Sequence, residues 1–246
     1  MDFEEVKILG VGISNINLID LKNILLERGN PIYIVTPNPE MVYLASINDS
    51  FKDLLNKAKY KLPDGIGILI ASKIYGRQIK ERISGIDAFE LLGELGKLRI
   101  FLLGAKEEVV KEAAKRLKDK FPNIEAIDCH NGYFNDSQND MIVEKVKNFN
   151  ANILFVGLGC PKQEEWIYKN FKKTNADITI GIGGSFDIIS GYKKRAPLIV
   201  RKIGCEWIYR FLQEPRRRAL RILRVPLYLI KVIIEGARIR LRVREH

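Results

Sequence analysis

Histidine and cysteine are scarce in this chain. Of 246 residues two are histidine, His130 and His246, and three are cysteine, Cys129, Cys160 and Cys205. The cysteines are widely spaced and odd in number, which fits neither a disulfide framework nor a zinc cluster and suits thiols of a reducing cytosol. With few histidines and no Asp-x-Asp pair, no tightly ligated catalytic metal is expected. Long apolar runs are missing too. The longest, Val225 to Ala237, falls short of the roughly 20 residues that a bilayer requires, and Lys231 and Glu235 interrupt it. No transmembrane helix is predicted. The acidic opening Met1-Asp-Phe-Glu-Glu lacks the basic-then-apolar pattern of a signal peptide. There is no internal repeat and no low-complexity segment.

What is present is divided unevenly. From Lys193 onward there are 16 Lys/Arg against four Glu, whereas the first 192 residues hold 25 against 26. The tail therefore carries the whole formal charge of +11. Among its arginines runs an aliphatic series that includes Leu220, Ile222, Leu223, Leu227, Ile230, Ile233 and Ile234. Arginine interleaved with aliphatic residues suits a surface that dips into a bilayer while gripping anionic headgroups. Hydrophobic residues make up 46%, ample for a core. The division predicts an α/β catalytic domain over 1–195 and a basic, amphipathic helical appendage over 196–246.

Within the body, apolar strands alternate with helices. Val6–Gly10 reads as a first strand turned by Gly10, Gly12 and Ser14 into a helix near 17–28, and Ile32–Thr36 as a second strand. Helices follow at about 40–48, 51–59, 66–75 and 84–97. Then come strand 99–103, helix 106–120, strand 124–129, helix 137–149, strand 153–157, helix 162–170 and strand 178–182. This order means βαβ crossovers and a Rossmann-like, mainly parallel sheet with helices on both faces. The tail turns helical at Cys205–Gln213, and Pro226 starts a second tail helix.

Ligands of open parallel sheets bind beyond the carboxyl ends of the strands. That rule nominates Thr36-Pro-Asn38, Gly104-Ala, His130-Asn-Gly-Tyr133, Gly157-Leu-Gly-Cys-Pro-Lys-Gln163 and Gly181-Ile-Gly-Gly-Ser-Phe-Asp187. Two of these loops, with Gly159 and Gly184, are glycine-rich and run into helices, a setting for a diphosphate or simply for tight turns. Asp187 beside them suits a base or ribose. Pro63-Asp64-Gly65 is an ordinary turn sequence, yet a carboxylate fixed between apolar segments is also a general base for an acceptor hydroxyl. Arg82 reads as a solvated cation or a phosphate clamp. Gln163 reads as an exposed amide or a sugar ligand, and Tyr133 as packing or a base stack. The triplet Arg216-Arg-Arg218 suits nucleic acid as well as lipid, but nucleic acid would leave the adjoining aliphatic stripe without a role, so no nucleic-acid partner is expected. The incomplete glycine fingerprint after Val6–Leu9 and the basic tail disfavour a dehydrogenase.

Taken in order, these motifs resemble the WecG/TagA/CpsF glycosyltransferases, family 26. The resemblance rests on Thr36-Pro-Asn38, Pro63-Asp-Gly65, Arg82-Ile-Ser-Gly85, Gly132-Tyr133, Val156-Gly-Leu-Gly-Cys-Pro-Lys-Gln-Glu164, Gly181–Asp187 and Trp207-Ile-Tyr-Arg-Phe-Leu-Gln-Glu-Pro-Arg-Arg217. It implies an inverting, metal-independent enzyme with no cofactor. That enzyme moves N-acetylmannosamine, or a related sugar such as its uronic acid, from a UDP donor. The implied acceptor is the 4-hydroxyl of N-acetylglucosamine on undecaprenyl diphosphate, at the cytoplasmic leaflet. By the same resemblance Asp64 is the base, Thr36, Asn38, Arg82 and Gln163 line the sugar site, and Tyr133 and Asp187 hold the uridine. Arginines of the appendage, among them Arg210, Arg216, Arg217, Arg221 and Arg224, close over the diphosphates. After Arg217 the sequence departs from the family pattern, with Arg218-Ala-Leu-Arg-Ile in place of an aromatic-and-arginine ending. Homodimers or homotrimers are compatible with the apolar tail faces. The reading from another class is a non-catalytic basic adaptor for a membrane or nucleic acid.

Overall fold

The structure, a computed structural model, describes residues 2–203, 206–215 and 223–244. Its centre is a six-stranded, all-parallel sheet. The strands are β3 (Ile32–Val35), β4 (Tyr60–Lys61), β5 (Leu98–Gly104), β6 (Ile124–His130), β7 (Ile153–Gly157) and β8 (Ile178–Gly181). They lie in the order β4-β3-β8-β7-β5-β6. A separate antiparallel hairpin, β1 (Glu5–Ile8) with β2 (Val11–Ser14), precedes them. The hairpin corrects the sequence reading of Gly10, Gly12 and Ser14 as a turn into a helix. Gly10 takes φ +85° at the hairpin bend, and Gly12 and Ser14 are strand residues.

The strands read as unbroken apolar runs because both faces of the sheet are covered. Ile34, Ile100, Leu102, Phe155 and Ile180 face one core. It is closed by α1 (Leu18–Leu25), α5 (Gly85–Glu90), α6 (Glu107–Lys120) and α9 (Ser185–Ile189). Tyr33, Val35, Phe101, Leu103, Leu154 and Val156 face the other. That second core is closed by the hairpin and by α2 (Pro39–Ala45), α3 (Asp49–Asn56), α4 (Ile66–Ile74), α7 (Asn139–Phe149) and α8 (Lys162–Asn170). The helix expected to run to Lys97 stops at Glu90, and a 3₁₀ turn over Leu91–Glu94 carries the chain to Leu95.

Beyond β8 come α10 (Leu198–Lys202), α11 (Glu206–Gln213) and α12 (Arg224–Arg244). Helix α12 starts two residues before Pro226, which sits in its first turn, where no intrahelical N–H is missed. One stripe of α12 completes the second core. Tyr228 and Val232 are both fully buried among Met41, Val42, Ile68 and Ala71. Polar contacts flank the stripe: Tyr228 donates to the Gly67 carbonyl at 3.1 Å, Lys231 to the Ser46 hydroxyl at 3.0 Å, and Tyr75 to Glu235 at 2.6 Å. The opposite stripe leaves Leu227, Ile230, Ile233 and Ile234 exposed. No described helix is long and apolar enough to cross a membrane.

Candidate active site

The chain leaves β5 toward β6 on one side of the sheet and returns to β7 on the other, with α6 and α8 on opposite faces. The carboxyl ends of β5 and β7 therefore form the switch point at which the sheet opens. A cavity of about 1130 Å³ lies there, lined from every loop that the sheet rule nominates. Its walls include Thr36, Asn38, Asp64, Tyr133, Gly159, Gln163, Gly184 and Asp187, so residues from five separate stretches of sequence meet at one place.

The backbone around Asp64 is tightly held. Leu62 continues the β3–β4 ladder by donating to the Val35 carbonyl at 2.8 Å, and Asp64 N–H donates to the Pro37 carbonyl at 3.1 Å. From the other side Ile83 N–H donates to the Pro63 carbonyl at 2.9 Å. Gly65 follows at φ +92°, a conformation that glycine adopts without a Cβ penalty. These bonds hold the segments of Thr36–Asn38, Asp64 and Arg82 side by side. Thr36 itself is buried and donates to the Gly181 carbonyl at 2.9 Å. Asn38 caps α2, accepting from Met41 N–H at 3.0 Å, and thereby aims that helix start at the cavity. Arg82 does not line the cavity wall; its guanidinium pairs with Glu206 of α11 at 3.4 Å.

Asp187 and Tyr133 also line the cavity. Tyr133 is 72% exposed, an open ring face rather than core packing. Asp187 pairs with Lys193 at 2.6 Å, and Lys193 also reaches Glu214 at 3.0 Å. Gly183 N–H, one of the donors expected for a phosphate, is taken by the Gln163 side chain at 2.9 Å. Gln163 is 2% exposed and the exposed-amide reading fails. Of the appendage arginines, Arg224 pairs with the cavity residue Glu40 at 2.8 Å. Arg216, Arg217 and Arg221, and the side chain of Arg210, lie outside the described residues.

Several lining groups went unnoticed in the sequence. Glu40, Lys106, Glu108, Lys162, Lys193 and Glu214 all face the cavity. Among the described lining residues five carboxylates stand against three lysines, so the walls are not cationic by themselves. Lys193 and Glu214 were hidden in the general basicity of the tail. Glu164, behind the cavity wall, follows Gln163 and is fully buried, and desolvation pushes its carboxyl up to about 7 against hydrogen bonds from its backbone, Gln163 and Cys160 that favour the ionised form. Among the described residues no group of three or more His, Cys, Asp or Glu is arranged to hold a metal ion.

An open parallel sheet with a wide cleft at its switch point and Asp64 on the cleft wall is an α/β architecture that binds its ligand beyond the carboxyl ends of the strands. The chain belongs to the Glycosyl transferase WecG/TagA/CpsF family, whose model matches residues 6–242. Among its relatives is the N-acetylglucosaminyldiphosphoundecaprenol N-acetyl-beta-D-mannosaminyltransferase of Staphylococcus aureus strain MW2. The two are 36% identical over 236 residues, 93% of this chain and 92% of that protein. The protein of the same name from S. aureus strain NCTC 8325 is 36% identical over the same span.

Proposed function

We propose that this protein transfers N-acetylmannosamine from UDP-N-acetylmannosamine to the 4-hydroxyl of N-acetylglucosamine on undecaprenyl diphosphate, with inversion and without a metal, at the inner face of the cell membrane. The observation that carries the reading is the fixation of Asp64 within the cleft, backbone-bonded to Pro37 and flanked through Pro63 by Ile83. Asp64 takes the proton from the acceptor hydroxyl as that oxygen attacks the anomeric carbon and the bond to the UDP β-phosphate breaks. Thr36, Asn38 and Gln163 surround the sugar, and Tyr133 and Asp187 take the uridine. Arg82, one residue before the Ile83 contact, reaches the diphosphate after releasing Glu206.

Negative charge grows on the departing diphosphate and must meet cations. The described walls are rich in carboxylates, so this reading draws the cations from the arginines of the appendage. Both flanks of the stretch 216–222 are at the cleft: Glu214 lines it and Arg224 pairs with Glu40. A single well-placed donor contributes roughly 3 kcal/mol of transition-state stabilisation, so this stretch controls the rate. The exposed aliphatic stripe of α12, with the arginines around it, supports docking on an anionic membrane, where the lipid acceptor resides. The reaction is tested by UDP release from UDP-N-acetylmannosamine and a synthetic N-acetylglucosamine-diphosphate-lipid. Acceptor-dependent turnover that falls at least a hundredfold in Asp64→Asn is expected. Turnover that survives the substitution returns Asp64 to a turn residue, and turnover with another UDP-hexose alone reassigns the donor.

A further inference from the structure

Gln163 lines the cleft, yet its carboxamide is fixed from behind. The Gly183 N–H lies 2.9 Å from one end of the amide. A backbone N–H requires an acceptor, so that end is the oxygen, Oε1. The nitrogen, Nε2, then faces Glu164 Oε1 at 2.7 Å. Gly181 packs so closely on Nε2 that a Cβ there would collide with it. Glu164 is fully buried, and its second oxygen has no hydrogen-bond partner among the described residues. Such a carboxyl is costly to bury, and neither the fold nor the proposed chemistry has given it a role.

We propose that Glu164 is a positioning residue: its carboxylate holds the Gln163 carboxamide with its oxygen on Gly183 and its second N–H turned to an acceptor oxygen of the sugar nucleotide. This deepens the reading of the cleft as a UDP-sugar site and rests on it. Glu164 touches no substrate. It acts by deciding that Gln163 presents a donor, and a hydrogen bond to an ionised acceptor is about twice as strong as one to a neutral group. Uptake of a proton by Glu164 loosens the amide.

The surroundings place that protonation in the neutral range. Toward Glu164 face Tyr33 from β3, whose hydroxyl is likewise unpartnered among the described residues, and Cys160 from the loop before α8. Glu165 on α8 repels its charge, β7 contributes Leu154 and Val156 to the same core, and α3 contributes Phe51 and Leu55. The charged Asp49 and Lys52 of α3 pair with each other at 2.5 Å. Burial dominates and the carboxyl rises to about 7.

Two measurements on the intact chain test this. In the ligand-free protein the Gln163 side-chain amide resonances are expected to titrate with a midpoint near 7, and to lose that titration in Glu164→Gln. Amide resonances that do not move, or that move equally in the variant, overturn the proposal whatever the substrate is. Calorimetric binding of UDP-N-acetylmannosamine gives the second readout, chosen because free UDP has a terminal phosphate that titrates in this range. If only the ionised form holds the amide, about one tenth is competent at pH 6, and affinity falls about tenfold between pH 8 and pH 6. The Glu164→Gln slope is expected to be less than twofold. At pH 8, Gln163→Ala and Glu164→Leu are expected to lose affinity equally, and the double variant no more than either. Losses that multiply show a merely structural carboxyl and overturn the proposal. If the wild type binds no UDP-sugar while its amide still titrates, the reading of the cleft fails instead.

Discussion

Glu164→Gln should also change how stability depends on pH, in a direction opposite to that of most carboxylates. An ordinary glutamate has a value near 4.5; here burial raises it to about 7. The folded state thus binds the proton more tightly than the unfolded chain, and stability falls as pH rises from about 4.5 to about 7. At 1.36 kcal/mol per pH unit the displacement costs about 3 kcal/mol once the group is fully ionised. Replacing it with glutamine keeps the carbonyl that accepts from Gln163 and removes the charge. The new amide N–H introduces its own penalty of about 1–3 kcal/mol if left unpaired, but that penalty is the same at every pH. The informative quantity is therefore a difference of differences. Urea unfolding of both proteins at pH 5 and pH 8 should show the variant gaining about 2–3 kcal/mol relative to wild type on going to the higher pH, part of the displacement being already spent at pH 5. An identical pH dependence for the two proteins would refute the assignment of the raised carboxyl to Glu164.

Two further predictions concern α12. Tyr228→Ala removes the largest buried side chain of that helix, at a cost of about 3–5 kcal/mol. Amide exchange over 224–244 should accelerate roughly a hundredfold or more, while β5 and β7 keep their protection; unchanged exchange would show that the helix is held by other contacts. Replacing the exposed Leu227, Ile230 and Ile234 with serine should weaken sedimentation with anionic vesicles by about a hundredfold, at about 1 kcal/mol per partly inserted side chain, and wild-type binding should fall as salt rises. Equal binding by the triple variant would assign the docking surface elsewhere.

The sheet and most of its loops were legible because buried parallel strands are apolar without interruption, as in Ile-Leu-Phe-Val over 153–156. Their carboxyl ends then named the cleft in advance. The hairpin was not legible, since Gly10-Val-Gly is as good a strand-to-helix turn as it is a reversal. Strand β4 is two residues long, too short to show any period. Glu164 is hidden in the sequence for a different reason. Charge suggests a solvent face, but Trp166, Ile167 and Asn170 are buried on α8. The helical period from Ile167 back three residues places Glu164 on that same inner face. Lys193, whose ammonium sits between Asp187 and Glu214, is indistinguishable in the sequence from the rest of the tail's charge.

The second core joins the two ends of the described chain. Val6, Ile8, Val11 and Ile13 from the hairpin share it with Tyr228 and Val232 from α12. Among the described residues the buried members of the other face all come from 16–186, with Phe3 and Ile189 packed against them. During synthesis, at about 5–20 residues per second, that first face has everything it needs well before α12 exists. The second face, on which α2 and α4 stand, stays open until Tyr228 has left the ribosome. Asn38 caps α2 and Asp64 precedes Gly65, the N-cap of α4, so the two helices that follow these cleft residues are braced last. A nascent chain thus completes one face of the sheet early and closes the other only when α12 packs on it, which ties the bracing of α2 and α4 to the arrival of Tyr228 and Val232.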